Sequence, residues 1–222
     1  MSRKKKTPTT YSDGLPSRGV RRLRQIRREV AAEAARIMAT EGQRNYRGAK
    51  QKAALRIGVS SRLALPSNKE VEQALRAYQG CYGGEQHYRH LEKLRATALR
   101  VMRALEPYCP RLVGPVLEGT ADRHSRVSLH LFNDPPEAVA LHLSEQGLSF
   151  RQEERRIRWH DGSHRSIPLL VTDTEGVVVE LALFNSIDLR QSPPSPVDGR
   201  PQKRAPLSEV ECLGLQLSAD QY

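Results

Sequence analysis

The chain has 222 residues, of which 38% are hydrophobic, and a formal net charge of +11. This length suits one domain with appendages or two small domains, and no apolar run is long enough for a transmembrane helix, so no membrane partner is expected. The polar, basic N-terminus predicts that no secretory signal is present, and three cysteines without CxxC spacing predict reduced thiols, so a cytoplasmic location is expected.

The N-terminal segment, residues 1–28, is strongly basic. Up to Val30 the chain holds ten lysines and arginines against Asp13 and Glu29, a local net charge of +8. This charge predicts a disordered arm that binds nucleic-acid phosphates without reading their sequence. A tail that only keeps the protein soluble is the alternative. The residues expected to contact nucleic acid are Lys4, Lys5, Lys6, Arg21, Arg22, Arg24, Arg27 and Arg28.

Residues 29–108 predict a small helical domain. An Ala- and Glu-rich stretch from Val30 to Met38 predicts its first helix, which Gly42 would end. The second helix is predicted from Tyr46 to Ile57, with Gly58 as the residue that terminates it. Glycine suits this position because it adopts the left-handed backbone of a helix end without steric cost.

Two further helices are predicted in this domain. Ser67 and Glu70 have the spacing of a capping box, which predicts a helix that begins near Asn68 and ends near Gly80. The fourth and longest helix is predicted from about Glu85 to Leu105. Its apolar residues recur at helical spacing and are expected to face the core. They are Leu91, Leu94, Ala98, Met102 and Leu105.

One segment of the helical domain indicates a different class of function. Residues 53–60 resemble the first helix and turn of a helix-turn-helix motif, with Ala54 four residues before Gly58. However, Pro66 falls within the span that a recognition helix would need, so a plain helix-loop-helix is the preferred prediction. The basic residues around this segment are Lys50, Lys52, Arg56 and Arg62.

Beyond the helical domain, residues 127–132 alternate between apolar and polar side chains and predict a β-strand. Val127, Leu129 and Leu131 form its apolar face. The other face carries Arg126, Ser128 and His130.

Residues 112–132, LVGPVLEGTADRHSRVSLHLF, resemble the active-site motif of the nucleotidyltransferase (polymerase-β-like) superfamily. In that family a Gly-Ser turn after a helix leads through an Arg-Gly to a Ser-Asp-hydrophobic-Asp strand. Gly114 and Gly119 occupy the positions of the two family glycines, and Ser125 and Leu129 match the serine and the apolar residue of the strand. The resemblance implies an α+β fold and a site that holds phosphate groups.

The same motif lacks the residues that the family uses for chemistry. Pro115 stands at the position of the phosphate-contacting serine, and Arg126 and Ser128 stand at the positions of the two metal-binding aspartates. Nucleotidyl transfer needs Mg²⁺ held by hard oxygen ligands, whereas a guanidinium pairs with phosphate directly. The resemblance therefore implies a phosphate site without metal. Its expected residues are Gly114, Gly119, Thr120, Ser125, Arg126, Ser128 and His130.

A third carboxylate of the family comes from a later strand, and Glu180 in the apolar run 177–184 is the candidate here. An ordinary charge on a half-exposed strand is the alternative. No catalytic residue is assigned beyond this residual carboxylate. Glu118 and Asp122 lie in the motif loop and could replace the missing ligands, so an active enzyme with Mg²⁺ and an atypical site stays open.

The remaining elements complete the expected fold class, which is α+β with a mixed β-sheet flanked by helices over residues 109–191. A Pro-rich segment and a short C-terminal helix are predicted over residues 192–222. The elements predicted after the motif strand are a helix ending near Gln146, strands near Leu148–Trp159, Ser166–Thr172 and Val177–Phe184, and a final helix near Leu207–Leu215.

These features predict a protein that binds phosphate groups of a nucleotide or nucleic acid in a regulatory or scaffold role, with no cofactor assigned. A protein partner is compatible with this role. Two alternatives stay open: an active nucleotidyltransferase with an atypical site, and a helix-turn-helix-like DNA-binding protein.

Overall fold

The computed structural model describes residues 18–219, with side chains described up to residue 213. Four helices precede a five-stranded mixed sheet that is flanked by helices, which confirms the predicted fold class. The helices are α1 (Arg18–Glu41), α2 (Tyr46–Ile57), α3 (Asn68–Tyr82), α4 (Gly84–Ala104), α5 (Pro115–Glu118), α6 (Ala138–Glu145) and α7 (Leu207–Ala219). The strands are β1 (Arg111–Val113), β2 (Val127–Phe132), β3 (Arg151–Arg158), β4 (His164–Thr174) and β5 (Val177–Phe184).

The helical part is built around α1, which α2 and α3 both contact. Many of its buried residues are alanines, which let the helices approach closely. Helix α1 already begins at Arg18, so the prediction of a disordered arm is wrong for residues 18–28. Arginine and leucine favour helix, and the partly buried Ile26 extends the apolar stripe of α1 toward its N-terminus. Lys4, Lys5 and Lys6 lie outside the described residues.

The caps of the second and third helices confirm their predicted starts. Asn45 accepts a hydrogen bond from the Arg47 amide at the start of α2, and Gly58 ends it in the left-handed region with φ 75°. Ser67 and Glu70 form the predicted capping box of α3. Between the two helices lies a loop with a single 3₁₀ turn, so the segment forms the preferred helix-loop-helix.

The strand order in the sheet is β1-β2-β5-β4-β3. Strands β2 and β5 pair in parallel and the other neighbours pair antiparallel, so the sheet is mixed as predicted. One sheet face packs against α4, α6 and α7 and forms the main core. The five apolar residues predicted as the core stripe of α4 and its end are all buried there. Within residues 18–219, no helix has the length and apolar character needed to cross a membrane.

The second sheet face carries the polar residues of the motif strand. Its apolar part is a smaller cluster around Phe132, Trp159 and Phe184. The Pro-rich segment crosses this side of the molecule, where the Asn68 side chain donates a hydrogen bond to the Pro196 carbonyl at 2.6 Å. The Pro-rich segment therefore connects the helical part to the sheet and forms one side of a cavity.

Candidate functional site

A cavity of about 640 Å³ lies between the helical part and the polar side of the sheet. Its walls come from α1, α2, α3, the motif loop, strands β2, β3 and β5, and the Pro-rich segment. Six of the seven predicted phosphate-binding residues line it, namely Gly114, Thr120, Ser125, Arg126, Ser128 and His130.

Two residues of the motif have other structural roles. Gly119 is absent from the cavity lining and ends α5 in a left-handed conformation with φ 74°. Pro115 is the first residue of α5, where its fixed backbone angle suits a helix start. Because proline has no amide hydrogen, this position offers a phosphate neither the hydroxyl of the family serine nor a backbone donor.

The centre of the site is a buried carboxylate held by two arginines. Ser128 of β2 lies directly beside Glu180 of β5 in the parallel register. The Glu180 Oε1 accepts a hydrogen bond from Arg126 Nη1 at 2.9 Å, and its Oε2 accepts one from Arg155 Nη2 at 2.6 Å. The Ser128 hydroxyl donates to the same carboxylate at 3.4 Å. We refer to Glu180, Arg126, Arg155 and Ser128 as the Glu180 cluster.

Glu180 is ionised in this cluster. Its burial, at 6% exposure, opposes the charge, but the hydrogen bonds and positive charges of Arg155 and Arg126 outweigh this cost and lower its pKa. Glu180 is therefore buried, and the alternative of an ordinary charged residue on a half-exposed strand is wrong. Both of its oxygens accept from guanidinium groups, and these two adjacent cations repel a metal ion at the same carboxylate.

The residues present do not fit the two Mg²⁺ ions of the family. One aspartate position holds a cation, Arg126, and the remaining carboxylate, Glu180, is engaged by two arginines. Within residues 18–219, the replacement candidates Glu118 and Asp122 do not come together with Glu180 as a group of three ligands; Glu118 accepts from Arg76 at 2.8 Å, and Asp122 accepts from the Ser125 hydroxyl at 2.7 Å. Across residues 18–219, no three His, Cys, Asp or Glu side chains are grouped so as to hold a metal ion.

Arg155 belongs to the site but was missed from the sequence. It lies on β3, an edge strand in which every residue except the half-buried Ile157 is exposed. The segment RQEERRIR has no apolar alternation, so no pattern assigns a side chain to either face. Pairing with β4 places Arg155 beside Ile167 and thus on the face that carries Glu180.

His130 reaches the cavity as a neutral side chain. It is 6% exposed, and its Nδ1 accepts a hydrogen bond from Arg204 Nε at 3.0 Å, which leaves the ring proton on Nε2. Burial, together with the charges of Arg204 and Arg155, lowers the pKa of His130 to about 3. Arg204, also missed from the sequence, lies over the rings of Phe132 and Phe184 at 4.9 and 5.1 Å.

The buried His130 predicts an acid-sensitive fold. Its pKa is about 3 in the folded protein against an ordinary 6.5, so between these values only the unfolded chain binds the proton. Stability is fully present above pH 6.5 and should fall with decreasing pH by up to about 1.4 kcal/mol per pH unit from this group. Urea unfolding of the wild type and of His130→Asn, at about pH 7 and about pH 5, measures this change in the free energy of unfolding.

In this experiment the asparagine oxygen can still accept from Arg204, so the variant should fold. We expect the stability difference between the two pH values to shrink by about 2 kcal/mol in His130→Asn. His164→Asn is the matched control, because His164 is exposed at the start of β4. An unchanged difference in His130→Asn would show that His130 is not the responsible group.

No protein-family model matches this chain, and a search of curated proteins finds no match either. The resemblance to nucleotidyltransferases therefore depends on the motif in residues 112–132.

Proposed function

We propose that the protein binds the phosphate groups of a nucleotide in the cavity, through Arg126 and Arg155 and without metal, in a regulatory or scaffold role. The observation that carries this proposal is the convergence of both guanidinium groups on Glu180, at 2.9 and 2.6 Å, at the metal positions of the motif.

The charge of the Glu180 cluster supports an anionic ligand. Two cations and one carboxylate leave a net charge of +1. The side chains of Arg126 and Arg155 remain 34% and 43% exposed, so they keep N–H donors that Glu180 does not use. A phosphate can accept from those donors in bidentate geometry.

The cavity also has the size and surface for the rest of a nucleotide. Its volume of about 640 Å³ lies within the usual range for small-molecule sites. Apolar side chains line it beside the polar ones, among them Met38, Leu75, Val113 and Ile157. They provide a surface on which a base or ribose can pack.

Titration of the full chain with ATP, GTP, CTP and UTP, each with and without Mg²⁺, tests this proposal. We expect binding that does not require Mg²⁺ and that weakens by about tenfold in Arg126→Gln, because one charge-assisted contact is lost. We expect Glu180→Gln to bind more tightly than the wild type, because the carboxylate that competes with phosphate is removed. Arg89→Gln, on an exposed surface of α4, is the matched control.

The active-enzyme alternative predicts the opposite behaviour of Glu180. Strictly Mg²⁺-dependent binding that Glu180→Gln abolishes would favour it, since the carboxylate would then be a metal ligand. Transfer of a nucleotidyl group from a Mg-nucleotide that is lost in Glu180→Ala would overturn the proposal.

A second candidate function is binding of nucleic acid by the first three turns of α1. Arg22, Arg24 and Arg28 are exposed there and make no ion pair within residues 18–219. Arg27 differs, because it pairs with Glu70 at 3.1 Å. Arg24 and Arg28 are four residues apart and share one face of α1, so they can contact neighbouring phosphates, while Arg22 lies on another side of the helix.

The helix-turn-helix alternative receives less support. Arg56, a basic residue that it would use, pairs with Glu33 at 3.1 Å and Glu41 at 2.7 Å. The chain after Gly58 forms one 3₁₀ turn and a loop before α3 begins at Asn68. A cytoplasmic location remains part of the proposal and is supported by three exposed free cysteines.

A further inference from the structure

The cavity has a second polar wall, which carries several hydrogen-bond acceptors. Helix α3 presents Glu72, Leu75 and Gln79 to the cavity at positions i, i+3 and i+7, so they share one helix face. Glu118, at the end of α5, lines the same cavity. The arginines of the Glu180 cluster come instead from β3 and from the residue before β2.

Gln79 has an unused acceptor. It is 5% exposed, and its Nε2 donates to the Thr120 carbonyl at 2.9 Å, which sets the orientation of the amide. Within residues 18–219, its Oε1 has no hydrogen-bond partner. A buried polar atom without a partner costs free energy and is expected to have a role or a ligand.

Glu72 and Glu118 add further acceptors to this wall. One nitrogen of Arg76 donates to both carboxyl groups, at 3.3 Å to Glu72 and 2.8 Å to Glu118. Glu72 and Glu118 are also hydrogen-bonded to each other, and the two carboxyl groups together have more acceptor sites than these contacts use. Burial and the neighbouring Glu72 raise the pKa of Glu118. Tyr46 lines the cavity near the same two carboxyl groups.

We infer, on the basis of the proposed function, that the nucleotide carries a base rich in N–H donors, and that guanine fits this wall best. Guanine presents adjacent N1–H and N2–H₂ donors, which match carboxylate and amide oxygens. In adenine and cytosine the amino group lies beside a ring acceptor, and the N–H of uracil lies between two acceptors. Those bases would place their ring acceptors against the carboxyl and amide oxygens of this wall.

Binding of GMP and IMP to the full chain tests this inference, because the two ligands differ only by the amino group at C2. We expect GMP to bind about tenfold more tightly than IMP to the wild type, since the amino group donates to a carboxyl oxygen of this wall. In Glu118→Gln we expect this preference to fall to about twofold, because an acceptor becomes a donor. Glu72→Gln provides a second variant of the same wall.

The outcomes separate this inference from the proposed function. Equal binding of GMP and IMP to the wild type, weakened for both by Arg126→Gln, would overturn the guanine inference and support the phosphate site. Binding of neither ligand would overturn both. Glu85→Gln, on an exposed glutamate of α4, should keep the GMP preference. A preference that survives in both Glu118→Gln and Glu72→Gln would assign it to other residues and overturn the inference.

Discussion

A variant with methionine at both Arg126 and Arg155 is expected to lose nucleotide binding and about 3 kcal/mol of folding free energy at neutral pH. Both partners of Glu180 are removed, and this carboxylate is only 6% exposed. The Ser128 hydroxyl, at 3.4 Å, is the contact that remains in the Glu180 cluster. Urea unfolding and nucleotide titration of the same samples measure the two losses.

The pH dependence identifies Glu180 as the cause. In the wild type its pKa is lowered, so its stabilising contribution is present above pH 4.5 and is lost as the pH falls through the folded pKa. Without the arginines, burial is the dominant effect and raises that pKa. The ionised Glu180 then destabilises the fold where it stabilised it before. This destabilisation should be largest at neutral pH and disappear in acid.

A third substitution separates stability from binding. Adding Glu180→Gln to the double variant removes the unpaired buried charge and should restore about 2 kcal/mol. It should not restore nucleotide binding, because the donors for phosphate are still absent. If this triple variant binds nucleotide as the wild type does, the phosphate ligands lie elsewhere in the cavity.

The second large effect concerns the exposed arginines of α1. Replacing Arg22, Arg24 and Arg28 by glutamine should weaken binding of duplex DNA or RNA about 100-fold at low salt, because up to three phosphate contacts are lost. The slope of log K against log salt should become less steep by about 2 to 3. Fluorescence anisotropy at about 50 to 200 mM salt measures both quantities.

The matched control replaces the same number of exposed arginines on other elements, namely Arg89, Arg103 and Arg200. Both triple variants lower the net charge of +11 by the same amount. If affinity falls equally in both, overall charge explains the binding and α1 is not a specific surface. Nucleotide binding in the cavity should be unchanged in either variant.

Features set by nearby residues could be predicted from the sequence. The bounds of α2 follow from local capping, and the Gly58 amide bonds to the Ala54 and Leu55 carbonyls. The strands β2 and β5 have the predicted bounds because their apolar side chains must be buried in a defined alternation or run. The motif resemblance also predicted Ser128 and Glu180 as site residues, and the two are neighbours in the sheet.

Features that depend on residues distant in the chain could not be predicted from the sequence. Helix α1 extends back to Arg18 through a segment whose composition indicated disorder, because Leu23 and Ile26 lie partly buried. The Glu72–Arg76–Glu118 contacts join α3 to α5 across residues that share no sequence pattern. Arg204 reaches His130 only because the Pro-rich segment returns to the sheet, where Ala205 bridges Leu112.

The presence of Arg126 and Ser128, and of no aspartate, at these strand positions is thus a property of the amino-acid sequence alone, and it argues against Mg²⁺ ligation there. The tertiary structure decided which second cation neutralises the Glu180 carboxylate beside Arg126. Arg155 lies on a strand that is polar on both faces, so only its pairing with β4 directs it toward Glu180. Local patterns specify elements because burial is periodic, whereas a charge cluster forms between elements whose register is set by the whole fold.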